Sequence, residues 1–330
     1  MSGGKTLVTG AAGFIGSHVV RELLARGREV RALIRPGEDV RNLAGLDLER
    51  VEGDVTDPAS VQRAVQGCAR VFHLAAIYAL WLPEPRRMFD VNVTGTQNVL
   101  LACLRAGVER VVHTSSIAAL GLSKDRPSDE STEFNQVRQA NDYVLSKWLS
   151  EELARSFAAQ GLQVVITNPA FPFGARDVAP TPTGKILLDV VKGKLPGYFD
   201  AGFSVVDVED VARGHLLAEE KGRVGQRYLL SGVNMSMKEF MQLAARLAGV
   251  RFKARRIPLR IGLWYGDWLD RRAEKLQRPP LVSGRTLRYA AQNLYYDNSR
   301  TRAELGLELT PVEDSIRRAL DWFRAEGYLT

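Results

Sequence analysis

Two side chains near the middle of the chain could carry out acid–base chemistry. Tyr143 and Lys147 are four residues apart in the segment NDYVLSKWLSEELA. Residues with this spacing share one face of a helix, so the Lys147 ammonium can lie near the Tyr143 phenol and favour its ionised form. A phenol with an ordinary pKa near ~10 then becomes a usable acid or base near neutral pH.

Three glycines upstream of this pair have nearly the spacing of a nucleotide-binding turn. The segment TGAAGFIG contains Gly10, Gly13 and Gly16. Their spacing differs by one residue, in its first step, from the G-x-G-x-x-G of ordinary dinucleotide folds. Three glycines alone are also compatible with a simple tight turn, so the elements on either side decide the interpretation.

The glycine segment lies between a predicted strand and a predicted helix. KTLVT at 5–9 reads as a buried strand, and FIGSHVVRELLAR at 14–26 reads as an amphipathic helix that stops at Gly27. Small residues at such a turn let a pyrophosphate approach the backbone, and the helix offers unpaired N–H groups to the anion. Together with Tyr143 and Lys147, this arrangement predicts an enzyme that uses a nicotinamide dinucleotide.

The composition is typical of a globular protein with a substantial core. The chain has 330 residues, 45% of them apolar, which suits one large domain or a domain with an appendage. No stretch is long or apolar enough to cross a membrane, and the first strand begins almost at once, which leaves no room for a signal or transit peptide. We therefore expect a cytoplasmic protein. Cys68 and Cys103 are expected to be buried reduced thiols, and neither suggests a metal site.

The net charge of +7 agrees with an acidic cofactor or substrate. No aromatic RNA-binding signature or basic recognition motif points to nucleic acid. Much of the excess charge lies at 251–278, where basic residues are mixed with Trp264, Tyr265 and Trp268. Two interpretations of this segment remain open: a solvated helix that caps a substrate cleft, and an amphipathic helix that contacts a membrane surface peripherally.

The first half of the chain alternates between short apolar runs and helical patterns. After the first strand, the candidate strands are REVRALI, LERVEG, RVFHLAA, ERVVHTSS and LQVVITNP. Helices are expected at 58–67, 84–107, 140–160, 183–193, 207–221, 236–249 and 311–327. The alternation predicts an α/β fold with a Rossmann-type, doubly wound parallel sheet. We expect a nucleotide-binding domain at 1–168 and a smaller C-terminal substrate-binding lobe at 169–330, partly interleaved with the first.

Several motifs in the right order resemble one enzyme family over nearly the whole chain. They are TGAAGFIG, GDVTD at 53–57, the HLAA that follows Phe72, TSS at 114–116, and Tyr143 with Lys147. They resemble the extended short-chain dehydrogenase/reductases, also called the NAD-dependent epimerase/dehydratase family, and within it the dihydroflavonol-reductase-like group. YALWLPEP at 78–85 and the segments at 168–186 and 205–218 are similar to bacterial proteins labelled hopanoid-associated sugar epimerases.

The resemblance implies roles for the catalytic residues. Tyr143 matches the family's proton donor or acceptor, and Lys147 matches the residue that lowers its pKa and holds the nicotinamide ribose. Ser116 matches the serine that hydrogen-bonds the substrate oxygen, with Ser115 as the competitor if the register differs by one. Asn92 matches an asparagine that supports the site, although helix capping and packing explain it almost as well.

The resemblance also implies a set of cofactor contacts. Asp54 and Val55 match the pair that lines the adenine. His73 lies under the cofactor in the family, but a histidine satisfied within the core explains it better. The residues expected at the cofactor are Gly10, Ala12, Gly13, Phe14, Ile15, Gly16, Arg35, Asp54, Val55, Leu74, Ala75, Ala76, Thr114, Tyr143, Lys147 and Pro169.

The end of the second strand bears on the choice of cofactor. An enzyme that uses NAD is expected to offer Asp or Glu to the ribose 2′-hydroxyl at this point. The strand instead ends with Leu33, Ile34 and Arg35. Arg35, helped by Arg31 or Arg41, would hold a 2′-phosphate through charge-assisted hydrogen bonds. We therefore predict NADP(H) rather than NAD(H) as the cofactor, the alternative being a solvated arginine and relaxed specificity.

The substrate is less well defined by the sequence. Aromatic residues occur in segments that usually frame the cleft and indicate an apolar or ring-shaped substrate, although each could belong to the core. They are Tyr78, Trp81, Phe171, Phe173, Tyr198 and Phe203. Nucleotide-sugar enzymes of this family commonly carry an Arg-Pro pair where this chain has Asn168 and Pro169, which weakens a sugar-nucleotide interpretation. Asp207 replaces a histidine found in many relatives, whereas Asp210 matches the usual acidic position.

These observations predict an NADP(H)-dependent reductase of a small, largely apolar or cyclic ketone, flavonoid-like, steroidal or terpenoid. A nucleotide-sugar epimerase or dehydratase is the first alternative, and a non-catalytic NADP-binding regulator is the second. Relatives often form homodimers through the two long helices, here 84–107 and 140–160, but the same faces could pack within one subunit.

Overall fold

The computed structural model describes residues 4–79, 81–195, 197–276 and 283–329. The elements of the first half are β1 Lys5–Thr9, α1 Phe14–Ala25, β2 Val30–Ile34, β3 Glu49–Glu52, α2 Pro58–Val65, β4 Cys68–His73, α3 Arg86–Phe89, α4 Gly95–Ala106, β5 Arg110–Thr114, α5 Asp142–Ala159 and β6 Val164–Pro169. A π-helical turn, Asp90–Thr94, joins α3 to α4.

Shorter strands and further helices make up the second half. They are β7 Phe171–Phe173, α6 Pro182–Val191, β8 Gly197–Tyr198, β9 Gly202–Asp207, α7 Val208–Lys221, β10 Arg227–Leu230, β11 Val233–Ser236, α8 Met237–Ala248, β12 Arg255–Arg256, α9 Leu259–Leu276, α10 Gly284–Ala290, β13 Asn293–Leu294, α11 Ser299–Leu305 and α12 Val312–Ala325.

The main sheet has seven strands in the order β10-β6-β5-β4-β1-β2-β3, and every pair is parallel. Successive side chains of a strand point to opposite faces. Leu7 accordingly packs with α2, α4 and α5, whereas Val8 packs with α1 and α7. Helices on both faces of a parallel sheet confirm the predicted Rossmann-type, doubly wound α/β fold. The sequence did not predict β10, which joins the sheet from the second half of the chain.

A second core lies beside the main sheet. Strand β9 pairs antiparallel with β11 and parallel with β7 and β13. Phe173, Phe203 and Phe240 pack together in this core, with ring centroids 4.8 Å and 5.2 Å apart for the two pairs that include Phe240. Helices α6, α8 and α12 cover it. The boundary near residue 168 and the substrate-binding role of the second part stay predictions.

The predicted helices are present with ends shifted by a few residues, and α10 and α11 were not predicted. Segment 251–278 contains α9, although its last two residues lie outside the described residues. No helix in the described part of the chain is long and apolar enough to cross a membrane. Leu104 of α4 and Leu149 of α5 are exposed, and dimerisation through these helices stays a prediction.

Candidate active site

The glycine turn forms a tight cradle between β1 and α1. Gly10 has a φ of 68°, and a Cβ at this position would lie 2.7 Å from the backbone nitrogen of Ala75. A Cβ on Gly16 would collide with the Gly10 carbonyl oxygen. Gly13 precedes α1 and provides no side-chain cap, so the first N–H groups of the helix stay available to an anion. The turn therefore fits the pyrophosphate of a dinucleotide.

A cavity of about 270 Å³ extends from this turn along the carboxyl ends of β5 and β6. Ser116, Tyr143 and Lys147 all line it. Ser116 follows β5, and α5 begins just before Tyr143, where the Asn141 side chain accepts a hydrogen bond from the Val144 backbone N–H. The strand end and the capped helix thus bring the predicted catalytic residues together beside the glycine turn.

The backbone of Ser116 is held by a buried polar network. Asn168 Nδ2 donates to the Ser116 carbonyl oxygen at 2.9 Å and to Glu151 Oε2 at 2.6 Å. Glu151 also accepts from Arg227 Nη1 at 3.1 Å. The network joins α5, β6 and β10, and it fixes the position of the serine relative to the helix that carries Tyr143.

Burial controls the charge states of the two α5 residues. Removal of solvent raises the pKa of Tyr143, as does the nearby Tyr78 phenol, while the Ser116 hydroxyl opposes the shift. This contact favours Ser116 over Ser115, whose hydroxyl has no hydrogen-bond partner within the described ranges. The direction is opposite to the lowering of the Tyr143 pKa expected from the Tyr143–Lys147 spacing, since burial dominates and the Lys147 ammonium donates to the Thr114 carbonyl oxygen instead.

Lys147 is buried and its ammonium donates to the Thr114 carbonyl oxygen at 2.8 Å. Burial lowers the pKa of Lys147 to about 8, against the effect of Glu151 one turn later. The ammonium is therefore still the main form at neutral pH. Thr114, whose hydroxyl bonds to His215 Nε2 at 2.9 Å, holds it at the floor of the cavity.

A second cavity continues from the glycine turn toward β2 and β3. Arg35, Glu38, Asp54 and Val55 line it, together with the β4 extension Leu74, Ala75 and Ala76. Asp54 Oδ1 accepts from the Thr56 backbone N–H and hydroxyl, both at 2.8 Å. The shape and lining suit the adenosine half of a dinucleotide.

With this geometry in view, comparison with known proteins decides the family. The model of the NAD dependent epimerase/dehydratase family matches residues 6–231. The chain belongs to this family. The resemblance predicted from the motifs is thereby confirmed, and the family is one of nicotinamide-nucleotide-dependent enzymes.

Two curated relatives cover nearly the whole chain. A putative dihydroflavonol 4-reductase from Synechocystis is 37% identical over 98% of this chain and 95% of its own length. Sterol demethylase protein B from Methylococcus capsulatus is also 37% identical, over 98% of this chain and 99% of its own length. The crystal structure of PA4631, described as a nucleoside-diphosphate-sugar epimerase from Pseudomonas aeruginosa, has 29% identity and a TM-score of 0.81 with complete coverage of both chains.

In this member of the epimerase/dehydratase family, most of the predicted cofactor residues border one of the two cavities. Pro169 and Thr114 line the first, and Phe14 and Ile15 lie at the start of α1 beside it. Ala12 is buried behind the turn, where its carbonyl oxygen accepts from Asn42. His73 is satisfied within the core, since its ring nitrogens bond to the Thr9 and Thr96 hydroxyls at 2.8 Å and 3.0 Å.

The predicted substrate residues separate into two groups. Tyr78 and Phe171 line the first cavity, and Trp81 lines an adjoining outer cavity that Tyr143 also borders. The other three lie in the second core: Phe203 is buried between Phe171 and Phe240, Phe173 packs on Phe240, and Tyr198 packs against Phe252. Phe171 thus lines the cavity on one side and packs against Phe203 of the second core on the other.

Asp207 and Asp210 lie at the start of α7, outside both cavities. Asp207 caps the helix through the Glu209 backbone N–H at 2.7 Å and pairs with Arg318 of α12 at 2.5 Å. Asp210 accepts from the backbone N–H and the hydroxyl of Thr310. Both carboxylates therefore hold the C-terminal segment on α7.

Other cavity residues were not predicted from the sequence. They include Asn141, Thr181, Thr183, Thr286, Tyr289, Ala290 and Leu294. Most come from α6, α10 and β13, which the chain reaches long after the catalytic residues. The Tyr78 hydroxyl interacts with Thr183, and the Tyr289 hydroxyl interacts with Tyr296. Packing of the second half of the chain beside the carboxyl ends of β5 and β6 brings most of these side chains to the site. They are far from the catalytic residues in sequence, so no local pattern could have identified them.

Asn92 lies in the π-helical turn and joins three elements. Its Oδ1 accepts from the Ile77 backbone N–H at 2.7 Å, and its Nδ2 donates to the Ile77 carbonyl oxygen at 3.1 Å and to the Ser146 hydroxyl at 2.9 Å. The Ser146 hydroxyl in turn donates to the Tyr143 carbonyl oxygen. Asn92 is thus a positioning residue for the segment after β4 and for α5.

Replacing Asn92 with alanine is expected to lower the free energy of unfolding by about 1–3 kcal/mol, because it leaves partly buried backbone groups of Ile77 and the buried Ser146 hydroxyl without this partner. Chemical denaturation measures the change. Asn98→Ala is the matched control, since the Asn98 side chain makes one hydrogen bond within the described part of the chain, to the Val55 carbonyl oxygen. Equal losses in the two variants would contradict the role given to Asn92.

Proposed function

We propose that this protein is an NADP(H)-dependent reductase that converts a C=O group of a largely apolar or cyclic ketone to CH–OH. The observation that carries the proposal is the composition of the cavity at Ser116 and Tyr143. Among the described residues that line it, Lys147 is the single charged one, and the others are apolar, hydroxyl or amide residues. Such a lining suits an uncharged substrate with one polar group directed at the catalytic hydroxyls.

The bound nicotinamide would supply hydride-transfer chemistry. The glycine turn and the start of α1 would hold the pyrophosphate, and Lys147 would hold the nicotinamide ribose. Asp54 and Val55 would border the adenine. These residues fit the cofactor because Gly10 and Gly16 cannot carry a side chain, and a turn without side chains lets a phosphate approach the backbone.

The hydroxyls of Ser116 and Tyr143 would donate hydrogen bonds to the substrate carbonyl oxygen, where negative charge develops during reduction. Tyr143 would then transfer its phenolic proton to that oxygen and complete the CH–OH group. The raised pKa keeps the phenol protonated at neutral pH, which is the form that reduction requires. The Lys147 ammonium would stabilise the phenolate that remains.

The preference for NADP(H) rests on Arg35. Its side chain is exposed at the end of β2, borders the second cavity and has no partner among the described residues. Arg31 instead binds the Ala64 and Gln66 carbonyl oxygens, and Arg41 pairs with Asp39. Glu38 borders the same cavity and would favour a ribose hydroxyl, but its carboxylate already accepts from the Arg35 backbone N–H. Arg35 is thus the group available to a 2′-phosphate.

Replacing Arg35 with serine is expected to raise the KM for NADPH by roughly 10- to 100-fold, since hydrogen bonds to charged groups contribute about 1.5–3 kcal/mol. The KM for NADH should change little. Steady-state kinetics with both cofactors measure the effect, and Arg41→Ser is the control. An equal loss with NADH, or an equal effect of Arg41→Ser, would refute the assignment.

The relatives support a reductase of an apolar ketone, since two of them are named as a dihydroflavonol reductase and a sterol demethylase protein. A nucleotide-sugar epimerase is the second candidate, favoured by the likeness to the Pseudomonas epimerase. A diphosphate would need cationic partners in the site. The outer cavity instead has Asp142 and Asp270 beside Arg285, which gives an excess of negative charge.

The proposal is tested by following NADPH oxidation, with NADH in parallel, across cyclic ketones, ketosteroids, dihydroflavonols and nucleotide ketosugars. We expect stoichiometric consumption of NADPH with one of the three apolar classes. Turnover of nucleotide sugars without net NADPH consumption would favour the epimerase. Tight NADPH binding with no reaction in any class would favour a non-catalytic NADP-binding regulator.

A further inference from the structure

Helix α9 exposes large apolar side chains that the proposed reaction does not use. Their exposed fractions are 38% for Leu259, 59% for Ile261, 72% for Trp264, 41% for Tyr265, 46% for Trp268 and 53% for Leu276. Ile261, Trp264, Tyr265 and Trp268 have the spacing of one helical face. We call these four residues the α9 outer face. A continuous group of exposed aromatic and aliphatic side chains is uncommon on a protein that meets only water.

The opposite side of α9 is fixed to the rest of the protein. Gly266 approaches α10 so closely that a Cβ would lie 2.7 Å from the Gly284 backbone nitrogen. Asp267 accepts two hydrogen bonds from Arg288 of α10, at 2.9 Å and 2.6 Å, and Ala273 is buried. Rotation of the helix would break these contacts. The packing of the inner side of α9 therefore keeps the outer face directed away from the protein.

Basic side chains lie beside the α9 outer face. Residues 251–276 carry a net charge of +5, from eight Arg or Lys residues and three Asp or Glu residues, and α9 itself contains four of the basic and all three of the acidic residues. Two of the acidic residues, Asp267 and Asp270, contact α10 on the inner side. Arg271, Arg272 and Lys275 are exposed, and the Arg272 guanidinium lies 5.6 Å from the centre of the Trp268 ring.

This combination fits an anionic membrane surface. Aromatic side chains with basic neighbours on one face of a helix are typical of helices that lie in the membrane interface, where the rings enter the headgroup region and the cations meet anionic lipids. A second copy of the chain fits less well, because a symmetric pair would place two strongly basic segments against each other. We propose that the α9 outer face docks this protein on a membrane leaflet that contains anionic lipids.

Docking through this face would bring α9, whose inner side helps to line the outer cavity, to the lipid surface. Asp270 of α9 and Thr286 of α10 line the outer cavity next to Tyr143, and Thr286 also lines the catalytic cavity with Tyr289. An apolar compound dissolved in the bilayer would then enter without crossing bulk water. The docking itself does not depend on the reductase proposal, since it is measured without substrate or cofactor.

The test is sedimentation of the full-length protein with vesicles of phosphatidylcholine alone and of phosphatidylcholine containing phosphatidylglycerol. We expect binding to the anionic vesicles, with weaker binding at higher salt. Arg271→Glu with Arg272→Glu should reduce the partition coefficient by at least about tenfold, since each basic residue near the surface contributes about 1 kcal/mol. Trp264→Ala with Trp268→Ala should reduce it comparably, and brominated acyl chains should quench tryptophan fluorescence only when these two residues are present.

Arg63→Glu with Arg105→Glu is the matched control, because it changes the net charge equally at exposed positions of α2 and α4. This variant should retain most of the binding, and circular dichroism should show that all variants stay folded. Absence of binding to anionic vesicles at low salt would overturn the proposal. So would equal losses in the control, or self-association that depends on Trp264 and Trp268 without any vesicle binding.

Discussion

Replacing Tyr143 with phenylalanine is expected to lower kcat for ketone reduction by about 10²- to 10⁴-fold. The variant keeps the ring that packs in the cavity but loses the proton that would complete the CH–OH group. The Kd for NADPH should change little, because the phenol hydroxyl lies beside Ser116, at the substrate end of the cavity. Steady-state kinetics and fluorescence titration with NADPH measure the two quantities.

Tyr78→Phe is the matched control for this prediction. Tyr78 lines the same cavity, and its ring centre lies 4.9 Å from that of Tyr143. Its hydroxyl interacts with Thr183 of α6, however, so we expect its loss to change kcat by less than about tenfold, within the range of one ordinary hydrogen bond. Full activity of Tyr143→Phe, or equal losses in the two variants, would remove Tyr143 from the mechanism.

Replacing Lys147 with methionine should lower kcat/KM by about 10²- to 10⁴-fold, an effect comparable to the loss of a proton-transferring group. Methionine fills a similar volume but removes the single charge that the described residues contribute to the lining of the catalytic cavity. Both the hold on the nicotinamide ribose and the stabilisation of the Tyr143 phenolate should be lost. The measurement is kcat/KM at a fixed, saturating concentration of NADPH.

The proposed role of the Lys147 ammonium also predicts how kcat/KM changes with pH. The pKa of Lys147 is lowered to about 8, so its ammonium is present below that pH and is lost above it. For the wild-type protein, kcat/KM should therefore fall as the pH rises through about 8. Lys147→Arg keeps a charge throughout this range, and any activity it retains should lack this decline. A flat wild-type profile from neutral pH to well above 8 would contradict the role of the ammonium.

The parts of the site that could be predicted from the sequence are those formed by residues that are close together in the chain. Gly10 follows a strand and Gly16 lies in the first turn of a helix, so neighbouring residues predict the turn, although the close approach of Gly10 to Ala75 does not follow from them. Tyr143 and Lys147 share a helix face by their spacing alone. The family resemblance then indicated Ser116, and the Ser116–Tyr143 contact favours this serine over Ser115.

The remaining parts depend on contacts between distant segments. Tyr289 reaches the cavity because α10 packs beside α9, and β10 joins the main sheet from the second half of the chain. Phe173 and Phe203 were candidates for the substrate site because they are aromatic. The type of a residue does not show which face of a short strand meets the cavity. In the structure these two rings belong to the second core. The sign of the Tyr143 pKa shift likewise follows from burial, which the sequence does not encode locally.

The most direct test of the reductase proposal is transfer of deuterium from NADPH that carries deuterium at both hydrogen positions of C4 of the nicotinamide. The label would be followed by mass spectrometry in the product of an apolar cyclic ketone that the protein consumes. We predict one deuterium on the carbinol carbon for each NADPH oxidised, and none with Tyr143→Phe. A product without deuterium, or a stereochemical change in a nucleotide sugar with the cofactor fully recovered, would contradict the account.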